Sequence, residues 1–353
     1  MGRVMDGRVG RLRGAVAALC FFTMAAGGAG AVAAQAPAEM SAATPELLQP
    51  HLVDIGGRRL NLVCVGEGSP TIVFDLPIFG NLLQWRKVMR PVAGISRACF
   101  FDRAGYDFSD PSPRPLTLAN AAEDLHRALE AARIGGPLVL VGHSMGGYYA
   151  TMFADLFPNE VAGLVLIDPA YAGAGLPAVT PEQKADLQKG EDQALADMKR
   201  CADLARAGGL SAADPMGCFT LPPGLAPDEV AFLTWSWTRP YRYEALASEF
   251  QADFSLEHGK DENSLEETRA ARSWGDKPLI VMTSGKNFER ADRRAERDAE
   301  WKAGHDRLAA RSTRGVSLMV PDSGHYIQLD QPDAVVSAIE TVVRQVREAG
   351  RDH

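Results

Sequence analysis

The segment GHSMG, residues 142–146, places Ser144 between two glycines in the pattern G-x-S-x-G. Apolar residues 138–141 precede it as a strand would, and a helical pattern follows it. A serine on such a strand-to-helix turn is lifted above the sheet, and the turn tolerates only small neighbours at the glycine positions. The helix N-terminus and the Met145 N–H would then face a developing oxyanion. The pattern predicts a nucleophilic serine, with a purely structural tight turn as the alternative.

A serine hydroxyl needs a base that takes its proton before it attacks a carbonyl carbon. Of the seven histidines, His325 alone follows an apolar strand pattern into a loop, in the segment SGHYIQLDQP. The others precede the sheet, lie in helical or charged segments, stand inside the GHSMG turn or end the chain. His325 also fits the chain order serine, acid, histidine that accompanies this kind of turn. We therefore assign His325 as the base.

The third group must accept the other ring N–H of His325 and stabilise the imidazolium, which requires a carboxylate at the end of a neighbouring strand. Asp168 closes the strand pattern GLVLID, one strand after that of the serine. After the next strand pattern, KPLIVMTSG, the options are Glu289 and Asp292, while Asn287 could accept a hydrogen bond without supplying charge. The residues alone leave open Asp168, the later pair of carboxylates and a Ser–His dyad.

Strand and helix patterns that could position these groups alternate over residues 51–170 and resume over residues 275–348. Continuous apolar runs such as PTIVFDLP read as strands that are buried on both faces, and TLANAAEDLHRALEAARI reads as an amphipathic helix. This alternation is typical of a parallel sheet that is covered by helices on both faces. The sequence therefore predicts an α/β fold in which the strand ends carry the site.

Residues 171–274 interrupt this alternation with charged, alanine-rich sequence that has helical patterns and no strand pattern. We interpret the segment as a helical insertion. Its aromatic residues could line an apolar pocket, although packing within the helices is the commoner role for such residues. They include Trp235, Trp237, Tyr241 and Tyr243.

Together these motifs identify the chain as a member of the alpha/beta-hydrolase superfamily, in its capped, esterase-like and aminopeptidase-like branch. Besides GHSMGG and SGHYIQLDQP, the run FFDRAGYDFSDPSPRP resembles the DRxGxGxSD loop of that superfamily, with Asp107 where a glycine is usual. The resemblance covers residues 53–346. It implies a mostly parallel eight-stranded sheet with helices on both faces and residues 171–274 inserted after the sixth strand as a lid.

The resemblance also implies an oxyanion hole built from the Met145 N–H and a second backbone N–H after the third strand. The superfamily usually has His-Gly or Ser-Gly before that second donor, and here Leu76 and Pro77 stand there. Because proline has no N–H, the expected second donor is Ile78. Haloalkane dehalogenases and certain lipases of the superfamily carry their acid at the end of the sixth strand, which favours Asp168.

Ser144, His325 and Asp168 together imply hydrolysis of a carboxylic ester, or of an amide, through an acyl-enzyme on the serine. An ester is favoured because its leaving group needs less activation. Epoxide hydrolases and haloalkane dehalogenases use a carboxylate nucleophile, so their chemistry is excluded. The alternatives are an aminopeptidase-like amide hydrolase, an acyltransferase or perhydrolase with the same triad, and a non-catalytic ligand-binding protein. The last is kept because Pro77 and Asn287 depart from the superfamily pattern. No cofactor is expected.

Residues 1–36 have the build of a secretory signal: four arginines, a short apolar run and the small residues of GAVAAQA. We expect cleavage after Ala33 or Ala36, since the apolar run is shorter than the roughly 20 residues that a membrane-spanning anchor needs. The mature chain would then be periplasmic or extracellular, without a stable membrane anchor.

The composition of the chain limits its partners. Of its residues 46% are apolar and 23% charged, which suits a globular domain large enough for a core. Removing four arginines and Asp6 with the signal lowers the formal charge from −8 to −11. Such an acidic product, without a basic cluster, is a poor candidate for binding nucleic acid or anionic membranes. The expected partner is a small-molecule ester or amide.

The expected mature chain has four cysteines, and the oxidising compartment to which it would be exported permits disulfides. Cys201 and Cys218 share one polar helical segment, and we predict that they pair. Cys64 and Cys99 each lie in an apolar strand pattern, where a free buried thiol and a disulfide are both open. None of the four has the spacing of a zinc site, so no metal is expected.

Overall fold

The computed structural model describes residues 47–172, 181–213, 215–254, 262–287 and 294–351. The predicted signal at residues 1–36 lies outside the described residues. The same holds for Glu289 and Asp292, the two alternative acids.

Eight strands form one sheet in the order β1-β2-β4-β3-β5-β6-β7-β8. β1 and β2 run antiparallel to their neighbours, and the strands from β4 to β8 are parallel. The predicted mostly parallel eight-stranded sheet is confirmed. The strands are β1 Leu52–Asp54, β2 Arg59–Val65, β3 Thr71–Asp75, β4 Ala98–Phe101, β5 Leu138–His143, β6 Val161–Ile167, β7 Leu279–Ser284 and β8 Gly315–Val320.

Helices connect these strands, beginning with a 3₁₀ helix at Leu82–Trp85. Four of the described helices, α4 to α7, fall between β6 and β7 in the chain, in the segment interpreted as a helical insertion. None of the described helices combines the length and the apolar character needed to span a membrane. The helices are α1 Arg86–Ala93, α2 Leu118–Ala131, α3 Met145–Leu156, α4 Pro181–Arg206, α5 Pro227–Trp237, α6 Pro240–Phe254, α7 Glu262–Ala270, α8 Arg294–Ala309, α9 Ile327–Asp330 and α10 Pro332–Ala349.

The two faces of the sheet carry separate apolar cores, because successive side chains of a strand point to opposite faces. On β5, Val139 and Val141 pack with residues of α1 and α10, whereas Leu138 and Leu140 pack with residues of α2, α3 and α8. All six residues of β5 are buried, which explains its continuous apolar pattern. The serine that follows β5 is therefore anchored in the centre of the fold.

Both pairs of cysteines form disulfides. Cys64 of β2 lies opposite Cys99 of β4 in the antiparallel register, with 4.0 Å between their Cα atoms. This register places the two side chains next to each other, so the alternative of two free thiols is wrong. The predicted bond between Cys201 and Cys218 is confirmed, with 5.6 Å between the Cα atoms, and it ties α4 to the segment before α5.

Candidate active site

Ser144 occupies a strained turn between β5 and α3. Its backbone has φ 54° and ψ −122°, in a region that residues with a Cβ rarely adopt. A Cβ on Gly142 would come within 2.2 Å of the Gly146 carbonyl oxygen, and a Cβ on Gly146 would come within 2.6 Å of the Leu76 carbonyl oxygen. Only glycine fits at both positions, so the G-x-S-x-G pattern here reflects close backbone contacts around the serine turn.

Asp168 and His325 meet at the carboxyl edge of the sheet. Asp168 directly follows β6, the neighbour of the serine strand, and His325 lies in the loop after β8. The His325 Nδ1–H donates to Asp168 Oδ2 at 2.7 Å. The carboxylate is fully buried, whereas Ser144 is 8% exposed and the His325 side chain 24% exposed. The serine and the histidine therefore keep some exposed surface, whereas the acid has none.

Three further hydrogen bonds hold the Asp168 carboxylate. Oδ1 accepts from the Ser284 backbone N–H at 3.0 Å and from Trp301 Nε1–H at 2.8 Å, and Oδ2 accepts from the Ser284 hydroxyl at 2.7 Å. Burial alone would raise the pKa of Asp168, but the hydrogen bonds from His325 and Ser284 and the charge of His325 outweigh it and lower the pKa to about 2. The carboxylate is therefore ionised at neutral pH, as an imidazolium partner requires.

Ser284 explains how the seventh strand can lack an acid. It is the last residue of β7, and it supplies two hydrogen-bond donors to Asp168 rather than a carboxylate to His325. The described part of this strand end therefore supports the acid of the sixth strand.

His143, which precedes the serine, holds the loop that carries His325. The Gln328 side-chain N–H donates to His143 Nδ1 at 3.0 Å, so the ring proton is on Nε2 and donates to the His325 carbonyl oxygen at 2.8 Å. Burial, reinforced by the neighbouring His325, lowers the pKa of His143 to about 3. His143 is therefore a neutral structural link between β5 and the histidine loop.

His305 lies in a charged stretch of the sequence, yet its side chain is buried beside Asp168. Its Nε2 lies 2.9 Å from the Pro169 carbonyl oxygen and its Nδ1 lies 2.7 Å from the Thr283 hydroxyl. Burial lowers the pKa of His305, and these partners suit a neutral ring. Trp301 lies one helical turn before His305 on α8. The spacing of four residues between these two aromatic side chains indicates, in the sequence itself, that they share one buried face of the helix.

Ile78, the expected second oxyanion donor, follows β3 in the segment Leu76–Ile78. The close approach of Gly146 to the Asp75 and Leu76 backbones places this segment against the first turn of α3. Ile78 itself is half-buried. Within the described residues, no group of three or more His, Cys, Asp or Glu side chains could hold a metal ion.

The family model described as "Alpha/beta hydrolase family" matches residues 79–338. A haloalkane dehalogenase of Sphingobium indicum (strain DSM 16412 / CCM 7286 / MTCC 6364 / B90A) is 26% identical over 310 residues, which are 84% of this chain and 96% of that protein. The solved structure of a thermophilic esterase from Thermogutta terrifontis has a TM-score of 0.52 at 19% identity, covering 84% of this chain and 99% of the esterase.

An uncharacterised vacuolar membrane protein of Saccharomyces cerevisiae (strain YJM789) is 34% identical over 85 residues, or 24% of this chain. The match spans 13% of the length of that yeast protein. It concerns one short region, whereas the dehalogenase and the esterase are similar to most of the chain.

Proposed function

The chain belongs to the alpha/beta hydrolase family, and on that premise we propose that it is an exported serine hydrolase that cleaves a carboxylic ester through an acyl-enzyme on Ser144. The observation that carries the proposal is the 2.7 Å hydrogen bond from His325 Nδ1 to Asp168 Oδ2, at the same sheet edge as the strained serine turn. Ser144 is the nucleophile, His325 the base and Asp168 the acid in this proposal.

The bond to Asp168 commits the proton of neutral His325 to Nδ1, so Nε2 is the atom that takes the Ser144 proton. The serine oxygen attacks the ester carbonyl, and the N–H groups of Met145 and Ile78 stabilise the oxyanion. Nε2–H then protonates the leaving alcohol. A water molecule, deprotonated by the same nitrogen, hydrolyses the acyl-enzyme and releases the carboxylic acid.

The type of nucleophile separates this proposal from the chemistry named for the similar haloalkane dehalogenase. An alkyl-enzyme of the dehalogenase kind needs a carboxylate nucleophile, and a serine holds the turn between β5 and α3. A serine in that position suits acyl transfer, for which the paired histidine supplies the proton movements.

Export is supported by the two disulfides, since bonds of this kind persist in oxidising compartments and are rare in the cytosol. Cell fractionation followed by determination of the mature N-terminus tests this part of the proposal. We expect the protein in the periplasm or medium, beginning near residue 34 or 37. A full-length chain confined to the cytosol would contradict it.

The catalytic part is tested by labelling with a fluorophosphonate probe and by hydrolysis of aryl esters of graded acyl length and of aminoacyl amides. We expect labelling and ester turnover in the wild type, and loss of both in Ser144→Ala. The exposed Ser273 provides the matched control, because Ser273→Ala removes the same hydroxyl far from the turn. Folded wild-type protein without labelling would contradict the proposal, and a preference for amides would assign it to the aminopeptidase-like alternative.

A further inference from the structure

Arg103, in the loop after β4, is completely buried beneath the segment that carries Ile78. Its Nη1 donates to Asp75 Oδ1 at 2.5 Å and to the Leu76 carbonyl oxygen at 2.6 Å. Its Nη2 donates to the Pro77 carbonyl oxygen at 3.2 Å and to Glu249 Oε1 at 2.9 Å. One guanidinium group therefore binds two successive carbonyl groups of this segment and two carboxylates.

The Pro77 carbonyl and the Ile78 N–H belong to the same peptide unit. In a planar trans peptide these two groups point in opposite directions, so a donor that fixes the carbonyl also fixes the direction of the N–H. A charged donor also draws electron density toward the carbonyl oxygen, which strengthens the N–H at the other end as a hydrogen-bond donor. The Pro77 carbonyl oxygen also accepts the Gly80 backbone N–H at 3.1 Å, so Arg103 shares the orientation of this peptide with the turn and is its charged, polarising donor.

We propose that Arg103 is a positioning residue of the oxyanion hole, which orients and polarises the peptide between Pro77 and Ile78 toward the oxyanion on the substrate. The inference rests on the proposed function, in which Ile78 is the second donor. It also gives a physical role to Pro77, which stands where a glycine is usual. Its ring fixes φ at that position, so that the guanidinium holds a segment with little freedom to rotate.

Contacts from the insertion keep Arg103 in place. Glu249 lies on α6, is fully buried, and also accepts a hydrogen bond from the Tyr106 hydroxyl. The guanidinium of Arg103 lies 4.7 Å from the ring centroid of Tyr106 and 4.5 Å from that of Tyr149. Desolvated aromatic faces of this kind add favourable cation–π energy. The ion pair between Arg103 and Glu249 of α6 therefore helps to hold the oxyanion segment, by which we mean the segment from Leu76 to Gly80.

A second buried arginine holds the far end of the same segment. Arg242, also on α6, donates from Nη2 to the Gly80 carbonyl oxygen at 2.7 Å and from Nη1 to Asp107 Oδ1 at 2.7 Å. Asp107 stands where a glycine is usual and has φ 38°, so its place in the loop has a strained backbone. The segment from Leu76 to Gly80 is thus bound at both ends by arginines that link it to α6.

Arg103→Lys tests the inference, because lysine keeps the charge but cannot donate in a fork to two carbonyl groups and two carboxylates. We expect kcat for an aryl ester to fall about 10- to 100-fold while KM changes less than about 3-fold, since an oxyanion contact forms mainly in the transition state. An aryl boronic acid, whose adduct with Ser144 places an oxygen in the hole, should bind more weakly by a similar factor.

The matched control is Arg311→Lys. Arg311 is also mostly buried and pairs with Asp155 and Glu267, but it is not bonded to the oxyanion segment. We expect its kcat to stay within about 2-fold of wild type. Folded Arg103→Lys protein whose kcat matches that control, or whose loss lies only in KM, would overturn the inference.

If Arg103→Lys does not fold, the double variant Arg103→Gln/Glu249→Gln removes the buried ion pair between Arg103 and Glu249 and leaves Asp75 with the hydrogen bond from the Leu76 N–H. The same loss in kcat is expected, and an unchanged kcat would overturn the inference there as well. Wild-type protein that neither hydrolyses esters nor reacts with the fluorophosphonate would instead refute the proposed function. The two failures are therefore distinguishable, because the inference is judged by the ratio of variant to wild-type turnover.

Discussion

Replacing His143 by glutamine is expected to remove a large part of the sensitivity of this protein to acid. In the folded protein burial and the neighbouring His325 lower the pKa of His143 to about 3, whereas an unperturbed histidine has a pKa of about 6.5. Below pH 6.5 the unfolded chain therefore binds a proton that the folded protein rejects. Stability falls as the pH drops through this window and recovers as the pH rises.

The size of the effect follows from the difference between the two pKa values. Each pH unit below 6.5 costs about 1.4 kcal/mol of unfolding free energy, so the penalty is about 2 kcal/mol at pH 5. It approaches about 5 kcal/mol near pH 3, where the folded protein also begins to bind the proton and the penalty levels off. Glutamine cannot be protonated, and its side-chain N–H can still donate to the His325 carbonyl oxygen that His143 binds.

Urea unfolding at pH 7 and pH 5 measures this difference directly. We expect the unfolding free energy of the wild type to fall by about 2 kcal/mol more than that of His143→Gln. The control is His51→Gln, because the His51 ring is exposed and its replacement should leave the wild-type change intact. Equal changes in the wild type and in His143→Gln would refute the view that this buried ring is neutral and rejects a proton.

Two further predictions concern the packing of the turn and the covalent link in the sheet. Gly146→Ala should lower kcat on an aryl ester by about 10- to 100-fold in folded protein. The added Cβ would lie 2.6 Å from the Asp75 and Leu76 backbones and must displace the segment that carries Ile78. Unchanged kinetics would contradict this. In Cys64→Ala/Cys99→Ala, the free energy of unfolding in urea should fall by about 3 to 4 kcal/mol, which is the chain-entropy value for a bond that closes a loop of 35 residues. A loss below about 1 kcal/mol would show that the bond contributes little.

The arrangement of Ser144, His325 and Asp168 was accessible from the sequence because each residue follows a recognisable strand pattern. Strand ends of a parallel sheet meet at one edge, so a residue's position relative to its strand carries spatial information. The contact between His325 and Asp168 agrees with the expectation that the acid closes the sixth strand. Its role in catalysis remains part of the proposal.

Other features depend on contacts that local patterns do not encode. The bond between Cys64 and Cys99 required the register of β2 on β4, which no turn between them specifies. Arg103 and Glu249 are 146 residues apart, and they meet only because α6 packs on the loop after β4. His305 was hidden because exposed charged residues surround it on α8, although its spacing to Trp301 marks a buried face.

The orientation of an asparagine at position 168 shows why Asp168→Asn is informative. Oδ1 of Asp168 accepts two N–H donors, from the Ser284 backbone and from Trp301. These donors would hold the amide oxygen of asparagine at that place and direct its NH₂ group toward His325 Nδ1. The ring proton would then move to Nε2, where it prevents removal of the Ser144 proton.

The most direct test of the proposed triad is therefore the kcat of Asp168→Asn for an aryl ester, compared with wild type and with Asp276→Asn. Asp276 is an exposed residue in the turn before β7, and its replacement makes the same chemical change far from the site. We predict a fall of roughly 10⁴-fold in Asp168→Asn, the magnitude for a triad whose histidine has the wrong tautomer. Near-normal turnover in folded Asp168→Asn would contradict the assignment and direct the search for the acid to Glu289 and Asp292.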